Sequence, residues 1–202
     1  MIDHSVQSVY SDPRGCAGLF DEVEPTVQAV SAMARNVVVH YRASGHQPPE
    51  HSREDISLRW VDAILATDQT RHQTSLSVHH RTEDWVQGCC RDHTMLAVAV
   101  LRHHGVPARS RVGFASYLSP TTWNHDHVIV EAWPGGRWRR FDTELAAPVP
   151  GLADPTDIPP GSDSPFLTAA HVWRAHRAGT IDVTRFCVAE GLGIDGDRFV
   201  YG

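Results

Sequence analysis

The run Met95-Leu96-Ala97-Val98-Ala99-Val100-Leu101 is the longest unbroken apolar stretch in the chain, and it constrains the fold more than any other feature. It is far short of the roughly 20 residues that a membrane span requires. It lies inside a segment that begins near Cys89 and Cys90, runs to His104 and stops at Gly105, with Pro107 just beyond. Glycine past the last periodic residue, followed closely by proline, marks a helix C-terminus. A helix that is apolar on every side belongs in the middle of a fold. His103 and His104 fall in its last turn, where cations complement the helix dipole, and this is preferred to metal binding for both.

Around that helix the pattern changes twice. From Pro25, the stretch Thr26 to Tyr41 reads as a helix with proline in its first turn and Gly45 beyond its end. His46 to Ser52 is a connector. Ile56, Trp60, Ile64 and Leu65 recur at helical spacing and predict a second helix over Arg53 to Ala66. After the central helix, Val112 to Leu118, His127 to Trp133 and Arg137 to Phe141 have the alternation of strands, with Pro134-Gly135-Gly136 as a hairpin turn. Six prolines between Ala146 and Pro165 mark a long loop that wraps the surface or forms a lid. Thr168 to Arg177 reads as a late helix. A central helix followed by antiparallel strands gives an α+β fold in a single domain over 1–202. Its core spans about residues 25–145, followed by the Pro-rich loop 146–165 and a C-terminal helical extension 166–202; residues 1–24 form a loosely ordered lead-in.

Charge narrows the function. Arginine supplies all 18 cationic residues against 24 acidic ones, so the 202-residue chain carries −6. A net-acidic chain lacks the clustered basic charge that binds phosphate backbones, so no nucleic-acid partner is expected. The N-terminus, Met1-Ile2-Asp3-His4, has no basic start and no apolar stretch, so no secretory signal is expected. The cysteines Cys16, Cys89, Cys90 and Cys187 form no CxxC pair, which predicts free thiols and a cytoplasmic, non-membrane protein. His125-x-His127, His79-His80 and His93 lack the spacing that accompanies metal ligation, so neither a metal nor a cofactor is expected.

The chemistry concentrates between residues 88 and 143. Unpaired N–H groups at a helix start stabilise a thiolate, and Cys90 stands at such a start, just after Gly88. A thiolate needs a base, and the base needs an orienting group. His127 opens one strand, and Asp142 ends the next. If the loop is Pro134-Gly135, or residues 133–136, His127 lies directly opposite Asp142 on one face. A one-residue slip sends them to opposite faces, and a two-residue slip keeps the face but makes the pair diagonal. The all-apolar helix should pack on that same face and bring the Cys90 sulfur within about 4 Å of the imidazole. Trp85 and Gln87 are candidates for a side chain that assists the Cys90 N–H in an oxyanion hole.

Gly88-Cys89-Cys90-Arg91-Asp92-His93, then Leu96, then Gly105-Val106-Pro107-Ala108-Arg109, resembles the cysteine motif of the transglutaminase-like superfamily. His127-Val128-Ile129-Val130-Glu131 resembles its His-x-x-x-Glu strand, and Trp138-Arg139-Arg140-Phe141-Asp142-Thr143 its Trp-x-x-x-Asp strand. Ile129 stands where the family often has Trp, and Cys89 duplicates the nucleophile, although the Gly-x-Cys spacing selects Cys90. His125 shares the sheet face of His127, and only the spacing to Glu131 and Asp142 separates them. The resemblance, over about a quarter of the chain, implies a papain-like fold with Cys90 as nucleophile, His127 as base and Asp142 as orienter. It implies an acyl-transfer enzyme that forms a thioester from an amide, ester or carrier thioester, resolved by an amine or by water. A small-molecule, peptide or carrier-protein-bound substrate fits a single domain of this size. The alternatives are a cysteine amidase or peptidase, a non-catalytic binding domain, and a metal-dependent hydrolase using the histidines.

Overall fold

A computed structural model describes residues 2–42, 49–118 and 123–187. Helix α1 spans Val27–Val37, and the Thr26 hydroxyl caps it by accepting from the Ala29 N–H at 3.2 Å. The predicted continuation to Tyr41 does not form. At Val38 the chain becomes strand β1, Val38–His40, which pairs in parallel with β2, Val86–Gly88. The β-branched run Val37-Val38-Val39 suits a strand better than a helix, and β2 supplies the backbone partners.

The helix expected over Arg53 to Ala66 is two elements. A 3-10 segment covers Glu50–Ser57, and α2 covers Val61–Arg71. Between them Arg59 takes a left-handed φ of 61°, which no continuous helix tolerates, and Trp60 stacks on Tyr10. The lead-in is packed rather than loose. Phe20 and Val23 enter the main core, and His4 and Tyr10 accept backbone bonds from Ala108 and Val61.

Helix α3 runs Cys90–His103 and ends at Gly105, whose φ of +74° favours glycine. Every residue from Leu96 to Leu101 is buried. The main sheet follows as β3 (Ala108–Ala115), β4 (Asn124–Ala132), β5 (Arg139–Phe141) and β6 (Phe166–Thr168), in the order β5-β4-β3-β6. Strand β3 begins and ends earlier than its apolar alternation predicted, because Arg109 and Arg111 occupy strand positions. Both side chains bond Glu131 of β4, as does Arg140 of β5, at 2.6, 2.6 and 2.9 Å. Trp133 and residues 137–138, expected in strands, lie in the β4–β5 connection.

Helix α4, Ala169–Arg177, is capped by Thr168. The C-terminal segment is not helical throughout: β6 precedes α4, and a short strand β7, Phe186–Cys187, pairs in parallel with the start of β4. The expectations for Gly45, for residues 46–48 of the 46–52 connector and for residues 188–202 fall outside the described residues. The Pro-rich segment wraps the surface. Leu152 and Ile158 pack with Tyr117, Ile129 and Phe166, and Ile158 N–H bonds the Arg140 carbonyl at 2.7 Å.

Alternation along β4 assigns the two faces of the sheet. Val130, Ala132 and Phe141 share the main core with α1 and α3, whereas Ile129 belongs to the second cluster. His127 has the parity of Ile129, so it faces away from the body of α3. The expectation that α3 packs on the face bearing His127 is therefore corrected. The apolar sides of the helix are satisfied by α1 and the opposite sheet face.

Candidate active site

Cys90 is the first residue of α3, with β2 leading directly into it. A Cβ at Gly88 would meet Val38 Cγ1 at 2.7 Å and Asp92 Cβ at 3.0 Å, so glycine lets β1, β2 and the helix start converge. Asp92 holds the turn closed: Oδ2 accepts from the Cys89 N–H at 2.9 Å, and Oδ1 receives Arg91. His93 ties the helix to β1 through the Val38 carbonyl at 2.8 Å. Burial pulls its pKa down to about 4, so it is neutral and structural.

The edge of β4 explains how helix and histidine meet. On the side away from β3, β5 pairs with Val130 to Ala132 and β7 with Asn124 and His125. Among the described residues, neither strand pairs with positions 126–129. In this gap the Thr94 hydroxyl, in the second turn of α3, donates to the Val128 carbonyl at 2.9 Å. The helix start thus reaches the imidazole over the sheet edge rather than across its face.

His127 Nε2 bonds Asp142 Oδ2 at 2.8 Å, with both side chains buried. The observed hairpin register pairs Val130 with Phe141, which is the diagonal arrangement of His127 and Asp142. Asp142 also accepts from the Tyr117 hydroxyl at 2.8 Å and from the Glu144 N–H at 2.9 Å. Burial opposes its charge, but His127 and these donors outweigh it and hold the carboxyl below its usual range. Burial likewise disfavours imidazolium at His127, yet Asp142 prevails and raises its pKa. The backbone on either side of Asp142 is anchored. Asp142 N–H bonds the Pro155 carbonyl at 2.8 Å, and Arg35 of α1 donates to the Thr143 carbonyl at 2.8 Å.

The Cys90 sulfur, an imidazole nitrogen of His127 and a carboxyl oxygen of Glu144 lie within 4.8 Å of one another. Because Nε2 is engaged by Asp142, Nδ1 is the nitrogen available to the thiol. Glu144 sits opposite His127 when the hairpin register is extended past Phe141. Burial pushes its pKa up to about 7, and among the described residues its Oε1 has no hydrogen-bond partner. Interaction with the neighbouring Cys90 thiol draws the Cys89 pKa down to about 7, while interaction with Cys89, then burial, raises that of Cys90.

The other expected residues disperse. His125 shares the face of His127 but pairs with Cys187, its Nδ1 3.6 Å from that sulfur. His80 bonds Asp68, and His79 is exposed. Half-buried Trp85 precedes β2 and accepts from Arg71 through its carbonyl at 3.2 Å. Gln87 is buried in β2, with its N–H on Asp55 at 3.1 Å. Sequence reasoning missed Tyr117, Arg35 and Glu144. Of these, only Glu144 left a signal, being two residues past Asp142 and so on its face. Glu131, the acid of the His-x-x-x-Glu strand, is engaged by three arginines and serves the sheet.

The family profile described as the transglutaminase-like superfamily matches residues 19–143. The chain belongs to that superfamily, and its mixed α+β architecture accords with it. None of the curated proteins matches the sequence. Among solved structures, a protein from Cytophaga hutchinsonii named a "putative cysteine protease" aligns with a TM-score of 0.44 and 22% identity. The alignment covers 76% of this chain, which spans only 45% of that protein. No helix among the described residues is long and apolar enough to cross a membrane.

Proposed function

We propose that this chain is a cysteine-nucleophile acyl-transfer enzyme in which Cys90 attacks, His127 moves protons and Asp142 orients His127. One observation carries the reading: a thiol at a helix start lies within 4.8 Å of an imidazole whose Nε2 is held by a buried carboxylate at 2.8 Å. Cys90 gives its proton to His127 Nδ1, and the sulfur bonds to the carbonyl carbon of an amide, ester or thioester. The Cys90 N–H, in the first turn of α3, supports the oxyanion, with Gln87 or Trp85 as the second donor. When the bond to the leaving group breaks, that group takes the proton from His127 and a thioester remains on Cys90. An amine or water then loses a proton to His127, attacks the thioester carbon and releases the thiol, which is reprotonated.

Resolution by an amine makes the chain a transferase, and resolution by water makes it an amidase or peptidase. The substrate class that fits is a small molecule, a peptide or a carrier-bound acyl group. Intact-mass analysis after incubation with acyl thioesters and amides tests the proposal. A single acyl adduct on Cys90, absent from Cys90→Ala, is expected. Failure of every donor to acylate Cys90, or an adduct on Cys89 alone, overturns it.

A further inference from the structure

We propose that Cys90, His127 and Glu144 form a binding site for one zinc ion that caps the nucleophile. The inference rests on donor geometry, not on the acyl-transfer reading. A thiolate, an imidazole and a carboxylate are ligand types that zinc accepts together, and three protein ligands leave a fourth position for water. Zinc bonds of 2.0–2.3 Å in a tetrahedral site place neighbouring ligand atoms about 3.5 Å apart. The three donors already lie within 4.8 Å of one another, so side-chain shifts of about 1 Å close the site.

Three further features favour an ion there. Glu144 Oε1 is a buried acceptor with no hydrogen-bond partner among the described residues, an arrangement that native structures seldom leave unanswered. His127 donates its far nitrogen to Asp142 at 2.8 Å, which is how metal-bound imidazoles are usually oriented. One thiolate and one carboxylate cancel the charge of a dication, so the buried complex carries no net charge on its first ligands.

The molecule also supplies a contrast. His80 and Asp68 are buried and bonded at 2.6 Å, but the other imidazole nitrogen of His80 is taken by the Val78 carbonyl at 2.9 Å. That histidine has no lone pair left for an ion. At His127, Nδ1 remains for one.

Binding displaces the proton of the Cys90 thiol, and any proton on His127 Nδ1 or Glu144, into solvent; nothing is oxidised. A zinc-held thiolate is neither free to attack a carbonyl nor open to alkylation. The site would therefore hold the enzyme in a reversible, protected state.

Cobalt(II) titration of the metal-free full chain is the test. One equivalent should produce thiolate-to-cobalt charge-transfer absorption and the intense visible bands of a tetrahedral site, and zinc should erase both. Cys90→Ser should abolish the charge-transfer band, Glu144→Gln should weaken binding at least tenfold, and Cys89→Ser should keep the band. In the unaltered protein, stoichiometric zinc should block iodoacetamide at Cys90, a readout that needs no variant to fold. Absence of the band, a band that survives Cys90→Ser, or alkylation unaffected by zinc overturns the site. Turnover that rises on adding zinc overturns the capping role. A metal-free protein that forms the cobalt band but takes no acyl group separates failure of the acyl-transfer reading from failure of this one.

Discussion

His80 and His127 are both buried, and each sets Nε2 against an aspartate, at 2.6 Å from Asp68 and 2.8 Å from Asp142. His80 spends its second nitrogen on the Val78 carbonyl, and the ring of His72 lies 3.7 Å from its own. It joins the end of α2 to the segment before β2, and no thiol is part of that cluster. His127 has Cys90 and Glu144 on its second side. The difference shows that a buried His–Asp bond is not in itself a site. What distinguishes a reactive pair is an imidazole nitrogen left over and a reactive group placed to meet it.

Substitutions at the two pairs separate chemistry from stability. His127→Ala should lower the rate of Cys90 acylation by a factor on the order of 10³–10⁴, because the thiol loses its base. His80→Ala should leave Cys90 reactive but lower unfolding free energy by about 3 kcal/mol, because Asp68 is left buried without its partner. Acylation kinetics beside urea denaturation of the same two proteins check this, and equal kinetic losses would erase the distinction.

Asp142→Asn should follow, with a rate loss approaching that of His127→Ala. Tyr117→Phe removes one of several bonds to Asp142 and should cost about tenfold or less, corresponding to about 1 kcal/mol. Cys89→Ala should cost less than Cys90→Ala by orders of magnitude in thioester formation, since it is the Cys90 sulfur that lies within 4.8 Å of the His127 imidazole. The low pKa of Cys89 makes this the sharpest check on which sulfur attacks, and mass mapping of the adduct decides it.

The smallest effect concerns a carboxylate on the same strand. Burial would raise the Glu131 pKa, but Arg140, Arg109 and Arg111 outweigh it and hold it below the ordinary 4.5. Its ionised form therefore stabilises the fold above that value, and the contribution fades as pH falls through the lowered pKa. Glu131→Gln should be less stable than the unaltered protein at pH 7, with the gap narrowing in acid. Denaturant midpoints measured across that range test it.

Much of this was legible in the residues because local rules agreed. Gly105 and Pro107 bound a helix that is buried as its composition demanded, and the turn of Pro134-Gly135-Gly136 left His127 and Asp142 on one face. The reading failed where distant segments decided. Val38 and Val39 are strand only because β2 lies beside them, and Arg59 breaks a helix in its left-handed conformation. The route by which Cys90 reaches His127 was misread for the same reason. It depends on β5 pairing with β4 only from Val130 onward, and residues near Cys90 carry no signal of that limit. Tyr117 is likewise placed by the far end of β3, and nothing near Asp142 in sequence points to it.

The Pro-rich segment has a consequence beyond its support of Asp142. Strand β5 is only three residues long and would otherwise end the sheet with unpaired backbone groups, the surface on which a second chain adds and aggregation begins. Instead, the Ile158 N–H meets the Arg140 carbonyl and the Pro155 carbonyl meets the Asp142 N–H. Pro155, Pro159 and Pro160 have no N–H to offer a further strand. The segment thus terminates the sheet in the chemical sense. It engages the Arg140 carbonyl and the Asp142 N–H of the edge and presents a border on which β-pairing between molecules finds little to grip.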